Sequence, residues 1–175
     1  VKLWTLAAEQ GYAEAQYHLG LQYARGEGVR ADSRKAQQWL EKAAGQGSRG
    51  AQYALGVMFE FGVGVMADTS EAVRWYEKAA RAGLAVAQES LGSMYEQAKG
   101  VPRDVVKAYF WTSLAVSQGR PSATRKLKEL SESMTGHQKD KARREVESWQ
   151  ACRKATFAIC SIDWAPDVDV EKGDR

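Results

Sequence analysis

Residues 15 to 47 read AQYHLGLQYARGEGVRADSRKAQQWLEKAAGQG, and the same phrase returns at 51 to 83 as AQYALGVMFEFGVGVMADTSEAVRWYEKAARAG and at 87 to 119 as AQESLGSMYEQAKGVPRDVVKAYFWTSLAVSQG. The spacing is 36 residues each time. Trp39, Trp75 and Trp111 mark it, and around them recur Ala15/Ala51/Ala87, Gln16/Gln52/Gln88, Leu19/Leu55/Leu91, Gly20/Gly56/Gly92, Tyr23/Phe59/Tyr95, Gly28/Gly64/Gly100 and Asp32/Asp68/Asp104. A fixed period of this length is the mark of stacked supersecondary units rather than of one closed core. Length here therefore counts units.

Each copy reads as two helices. Ala15, Leu19, Gly20 and Tyr23 form a one-sided stripe at helical spacing. A glycine inside a helix costs about 1 kcal/mol relative to alanine, so its return at 20, 56 and 92 predicts close approach of a neighbouring helix backbone. The pair Gly26 and Gly28 marks a turn with positive φ, after which Val29 can drop between helices. Asp32 stands where an N-cap belongs, Ala36, Trp39 and Ala43 carry the second stripe, and Gly47 ends the helix. In the third copy Ala98 replaces the first turn glycine and Pro102 follows Val101, which predicts a slightly different turn there.

Outside the three copies the pattern thins. Residues 1–11 match the second helix of a unit whose first helix would lie upstream, with Leu3 and Trp4 at an exposed edge; further repeats are expected before them. Units then run 12–47, 48–83 and 84–119. Residues 120–155 form a degenerate repeat in which Ala123, Leu127 and Leu130 suit a first helix, and Thr135 with Gln138 resembles a capping box opening a long polar helix to about Lys154. Such a helix fits the end of an array, where one side has no neighbour. Residues 156–175 complete a tail that begins apolar and ends acidic.

Composition narrows the function classes. Hydrophobic residues make up 44%, charged residues 27%, and the net charge is +3. That surplus is too small for a nucleic-acid track, and no apolar run approaches the ~20 residues that span a bilayer. Cys152 and Cys160 lack further ligands at zinc spacing; they read either as one disulfide or as thiols buried in a terminal cap. His18 and His137 are far apart, with no nucleophile assigned to either. The Gly-x-Gly pairs complete no phosphate loop, and the three aspartates, one period apart at helix starts, read as caps rather than as a catalytic set. No cofactor or metal is expected.

The pattern Ala-x-x-x-Leu-Gly-x-x-Tyr-x-x-Gly-x-Gly-Val-x-x-Asp-x-x-x-Ala-x-x-Trp-x-x-x-Ala, read at Ala15 to Ala43, resembles the Sel1-like repeat, a relative of the tetratricopeptide repeat. The resemblance is strong over 1–119 and degenerate over 120–155. It implies an all-α, right-handed α/α superhelix (a solenoid) with a polar C-terminal capping helix, whose first helices line a concave face. It also implies a role as scaffold or adaptor for a protein or peptide ligand, and for many bacterial members export to the periplasm or envelope. Carried over by position, the partner-facing residues are Tyr17, Leu21 and Arg25 in the first copy, Tyr53, Val57, Glu60 and Phe61 in the second, and Glu89, Ser93, Glu96 and Gln97 in the third. They differ between copies where the stripe does not. Tyr17, Tyr53, Phe61 and Arg25 are types that dominate interface energy; the competing reading has the aromatic ones widen the packed stripe. Two other functions stand beside the scaffold. One is a spacer within a larger envelope protein, with no groove ligand. The other is β-lactam hydrolysis, associated with cysteine-rich relatives that carry a cysteine pair in each repeat; these repeats carry none.

Overall fold

The computed structural model describes residues 2–154, and of Lys2 the backbone alone. The tail 156–175, Cys160 and with it the Cys152 to Cys160 pairing lie outside the described residues. Within them the chain is a helical repeat solenoid of nine helices: α1 (Lys2–Glu9), α2 (Ala13–Arg25), α3 (Ser33–Gly45), α4 (Arg49–Phe61), α5 (Thr69–Arg81), α6 (Ala85–Gln97), α7 (Val105–Ser117), α8 (Pro121–Ser133) and α9 (Gly136–Lys154). Helices α2 and α3, α4 and α5, and α6 and α7 close as hairpins, and each hairpin packs on the next through α3 on α4 and α5 on α6.

The aspartates do what their places predict. Asp32 Oδ1 accepts from the Lys35 amide at 3.0 Å, Asp68 Oδ1 from those of Ser70 and Glu71, and Asp104 Oδ1 from those of Val106 and Lys107. Each cap satisfies amides that the first helical turn leaves free. Thr135 and Gln138 cap α9 reciprocally, Gln138 N on Thr135 Oγ1 and Thr135 N on Gln138 Oε1. Leu19, Leu55 and Leu91 are fully buried at one level of each unit, a burial that contributes about 1.5 to 3 kcal/mol apiece. Beside them Gln16, Gln52 and Gln88 each donate Nε2 to a carbonyl eight residues back, Ala8, Ala44 and Ala80. A side chain thereby ties each first helix to the end of the preceding second helix.

Two sequence expectations change. The interior glycines admit a side chain and, at two of the three, a neighbouring backbone as well: a Cβ at Gly20 would stand 2.8 Å from Leu40 Cγ and 3.3 Å from Ala36 O, at Gly56 2.5 Å from the Tyr76 ring, and at Gly92 2.5 Å from Thr112 Oγ1 and 3.1 Å from Ala108 O. The residue after each tryptophan uses that gap, so the second helix reaches into the first. Ala98 does not alter its turn. It takes φ 56, beside φ 72 at Gly26 and φ 67 at Gly62, and its amide reaches Met94 O as theirs reach Gln22 O and Met58 O.

The tryptophans share a place but not a burial. Trp39 packs beside Ala15 and Leu19, and Trp75 beside Leu40 and Leu55; both are half-buried, with Lys42 Nζ 4.3 Å and Lys78 Nζ 4.0 Å above their rings. Trp111 is fully buried. The cause is α9, which packs on α7 and brings Trp149 edge-on to Phe110 and Trp111, with ring centroids 6.1 and 6.2 Å away.

The second turn glycine has its own reason. A Cβ at Gly64 would strike Ser33 at the start of α3, and one at Gly100 would strike the Thr69 carbonyl at the start of α5. Each long turn thus sits on the preceding hairpin. The long turns line up along one edge of the stack.

Candidate functional site

A cleft of about 360 Å³ opens between α4, α5 and α6, lined by Tyr53, Val57, Glu60 and Phe61 from α4, Tyr76 from α5, Ser90, Ser93, Met94 and Gln97 from α6, and Lys99 from the following turn. Its floor depends on Gly56. Because no side chain stands there, the Tyr76 ring passes α4 closely, lies 5.4 Å from the Tyr53 ring, and carries its hydroxyl to Glu60 Oε2, to which it donates at 2.7 Å. Burial, then the hydrogen bond and the negative charge of Glu60, hold the Tyr76 hydroxyl far above the ordinary tyrosine range. It stays a neutral donor.

Of the partner-facing residues expected from sequence, six meet in this cleft: Tyr53, Val57, Glu60, Phe61, Ser93 and Gln97. Five do not line it. Tyr17 lies over Gly50, where a Cβ would come within 2.9 Å of its Cζ, and packs against the cluster of Leu40 and Leu55. Leu21 is half-buried, and the exposed Arg25 lies 3.7 Å from Glu27. Glu89 binds Arg120 Nε at 2.9 Å, and Glu96 binds Lys126 Nζ at 3.0 Å. Burial raises the Glu89 pKa, but hydrogen bonds from Ser122 and Arg120 and the charges of Arg120 and Lys126 outweigh it, leaving the carboxyl below its ordinary value. Ser93 accepts from Lys126 at 2.6 Å. Helix α8 thus occupies the acidic face that the third copy presents.

Tyr76, Ser90, Met94 and Lys99 are cleft residues that the sequence reading passed over. A signal existed for Tyr76: the positions one period away hold Leu40 and Thr112, so only the middle copy puts a ring with a hydroxyl there. It was hidden because it belongs to a second helix and reaches the cleft only through the gap at Gly56.

What the cleft offers is contact surface. Its charged lining groups are Glu60, engaged by Tyr76, and Lys99, with aromatic and aliphatic walls and the polar ends of Ser90, Ser93 and Gln97. Among the described residues no cluster of three His, Cys, Asp or Glu could hold a metal ion, and no helix is long and apolar enough to cross a membrane. His18 sits outside the cleft, 3.1 Å from Glu14 and with its ring tilted against Trp4, centroids 4.7 Å apart.

Comparison with known proteins agrees with this architecture. The family model described as Sel1 repeat matches residues 1–12, 13–48, 50–84 and 85–119. A Sel1 repeat protein from Oxalobacter formigenes is similar at 38% identity, covering 72% of this chain and 95% of its own, with a TM-score of 0.68. A protective antigen present in uropathogenic Escherichia coli strains and displaying an SLR fold is 32% identical over 91% of this chain, with a TM-score of 0.76. The chain spans 36% of that protein's length. Cysteine rich protein B of Helicobacter pylori is 25% identical over 67% of this chain and 90% of its own, with a TM-score of 0.56. A search of curated proteins returned no match.

Proposed function

The chain belongs to the Sel1 repeat family, whose members are generally protein-interaction scaffolds, and from that premise we propose that it holds a partner protein or peptide in the cleft between α4, α5 and α6. One observation carries the reading. Positions that recur in every copy, such as Leu55, Gly56 and Asp68, are spent on packing and capping, whereas the residues lining the cleft are those free to differ between copies. A surface that stacking does not dictate is available to a ligand that does not repeat. Phe61 supports it further: it remains 68% exposed at the cleft wall, a large apolar side chain whose burial by a partner would contribute about 1.5 to 3 kcal/mol.

The test is recovery of partners from the source cell by wild type and by a Tyr53→Ala/Phe61→Ala variant, with folding checked by thermal midpoint. Loss of specific partners from the folded variant is expected; equal recovery would remove the cleft from the account. A second reading, a spacer within a longer repeat protein, is favoured by the similar Escherichia coli protein being much longer than this chain. Equal recovery in that experiment is its expected outcome.

A further inference from the structure

Helices α2, α4 and α6 hold four carboxylates, Glu14, Glu60, Glu89 and Glu96. Three of them have a basic partner: Glu14 lies 3.1 Å from His18, Glu89 binds Arg120, and Glu96 binds Lys126. Glu60 has a neutral one. It accepts from the Tyr76 hydroxyl at 2.7 Å, and among the described residues no lysine, arginine or histidine stands within ion-pair distance of it. Tyr76 thus fixes one oxygen of this carboxylate in the cleft wall without neutralising its charge.

The third copy shows what such a place takes. Glu96 lies one period after Glu60, and the cleft residues Tyr53, Val57 and Phe61 correspond to Glu89, Ser93 and Gln97. There Lys126 reaches across from α8, its Nζ 3.0 Å from Glu96 Oε2 and 2.6 Å from Ser93 Oγ, with its side chain largely covered. The residue one period before Lys126 is Ser90, which lines the cleft. A serine is too short to cross to Glu60. The cleft is therefore the space that a lysine fills in the next copy, left open by a side chain that stops short.

The walls favour the same sign of charge. An aromatic ring is negative over its faces and attracts a cation. Lysines of this chain stand over Tyr23, Trp39, Trp75 and Tyr95, 4.0 to 5.3 Å from the ring centroids. Among the described residues none stands so over Tyr53 or Phe61. Lys99 lines the cleft from the turn after α6, yet it neither pairs with Glu60 nor covers either ring. An anion entering along α4 would meet a carboxylate and two ring faces; a cation is attracted by all three.

We infer that the cleft receives the cationic end of an arginine or lysine side chain of the partner protein, its charge on Glu60 and its stem along Tyr53, Val57 and Phe61, in the place that Lys126 takes beside Glu96. This inference rests on the cleft being a partner site. Arginine fits best, because its planar guanidinium stacks on a ring while its N–H groups reach a carboxylate.

The experiment is an NMR titration of the whole 15N-labelled chain with three peptides: acetyl-Leu-Arg-Leu-amide, the same with citrulline, which has arginine's shape without its charge, and the same with glutamate. The arginine peptide should bind at least about five-fold more tightly than either of the others, with shifts centred on the amides of Tyr53, Glu60 and Ser90. That comparison needs no variant. Glu60→Gln, which keeps an acceptor for Tyr76, should bring the arginine and citrulline peptides within about two-fold of each other. Ser90→Lys, which gives the chain its own cation beside Glu60, should weaken the arginine peptide about five-fold or more. Thermal midpoints check that both variants fold. Equal binding of the arginine and citrulline peptides, tighter binding of the glutamate peptide, or no binding of any overturns the inference, as does an arginine preference unmoved by Glu60→Gln or by Ser90→Lys. If the arginine preference is absent while partner recovery still depends on Tyr53 and Phe61, the cleft reading stands and the basic side chain does not.

Discussion

Gln118 donates its side-chain Nε2 to Gln88 Oε1 at 2.7 Å, and two hairpins earlier Gln46 does the same to Gln16 at 2.8 Å. The middle copy breaks the series. There the donor position is Ala82, and Gln52 Oε1 is buried without a hydrogen-bond partner. An orphaned buried acceptor costs about 1 to 3 kcal/mol, and a net hydrogen bond contributes about 0.5 to 1.5. Ala82→Gln is therefore expected to raise stability by about 1 kcal/mol, read as a higher urea midpoint with unchanged slope. An unchanged or lowered midpoint would count against the side-chain ladder as a stabilising device.

Ala98 holds φ 56 where the two earlier copies hold glycine. An alanine in the left-handed region is strained by contact of its Cβ with the following carbonyl, and its turn keeps the same amide to carbonyl bond. Ala98→Gly should gain about 0.5 to 1 kcal/mol, the strain relieved exceeding the extra freedom glycine brings to the unfolded chain. Gly62→Ala should lose a similar amount, and thermal midpoints of the two variants moving in the same direction would contradict the argument.

Trp111 is enclosed by Phe110 and Trp149, whereas Trp75 is half-buried under Lys78. Trp111→Ala should destabilise by about 3 to 5 kcal/mol and Trp75→Ala by about 2. Equal losses in chemical denaturation would mean that α9 adds nothing to the burial of the third tryptophan.

Tyr76 and Tyr95 both have hydroxyls raised above the ordinary value of 10, chiefly by burial. A raised acid keeps its proton in the folded state while the unfolded chain loses it, so the unfolded chain binds fewer protons above pH 10 and stability falls as pH rises through that value. Below it the contribution is fully present. Each such group steepens the alkaline loss by up to about 1.4 kcal/mol per pH unit, and Tyr76→Phe should flatten the dependence between pH 10 and the onset of unfolding. The same slope in both proteins would refute the assignment.

The helical hairpins, their caps and their turns were legible because each rests on contacts within one unit, and a unit repeated in register reports the same local chemistry three times. Asp68 is a cap for reasons that lie within three residues of it. The α4 wall of the cleft was legible on the same basis, since Tyr53, Val57, Glu60 and Phe61 share one face of one helix. Tyr76 was not, because its path to that face depends on the absence of a side chain at Gly56 on another helix. Glu89 and Glu96 were read as facing a ligand; Arg120 and Lys126 reach them from a helix too degenerate in sequence to reveal its register.

The architecture follows from residue order, for the period, the glycines and the capping aspartates admit only stacked helical hairpins. The packing of hairpin on hairpin sets which variable side chains converge, which of them α8 neutralises, and that α9 covers one of the three repeat tryptophans. Those outcomes follow from how each hairpin is set against the next, and helix against helix is a matter of side chains far apart in the chain meeting in a shared gap.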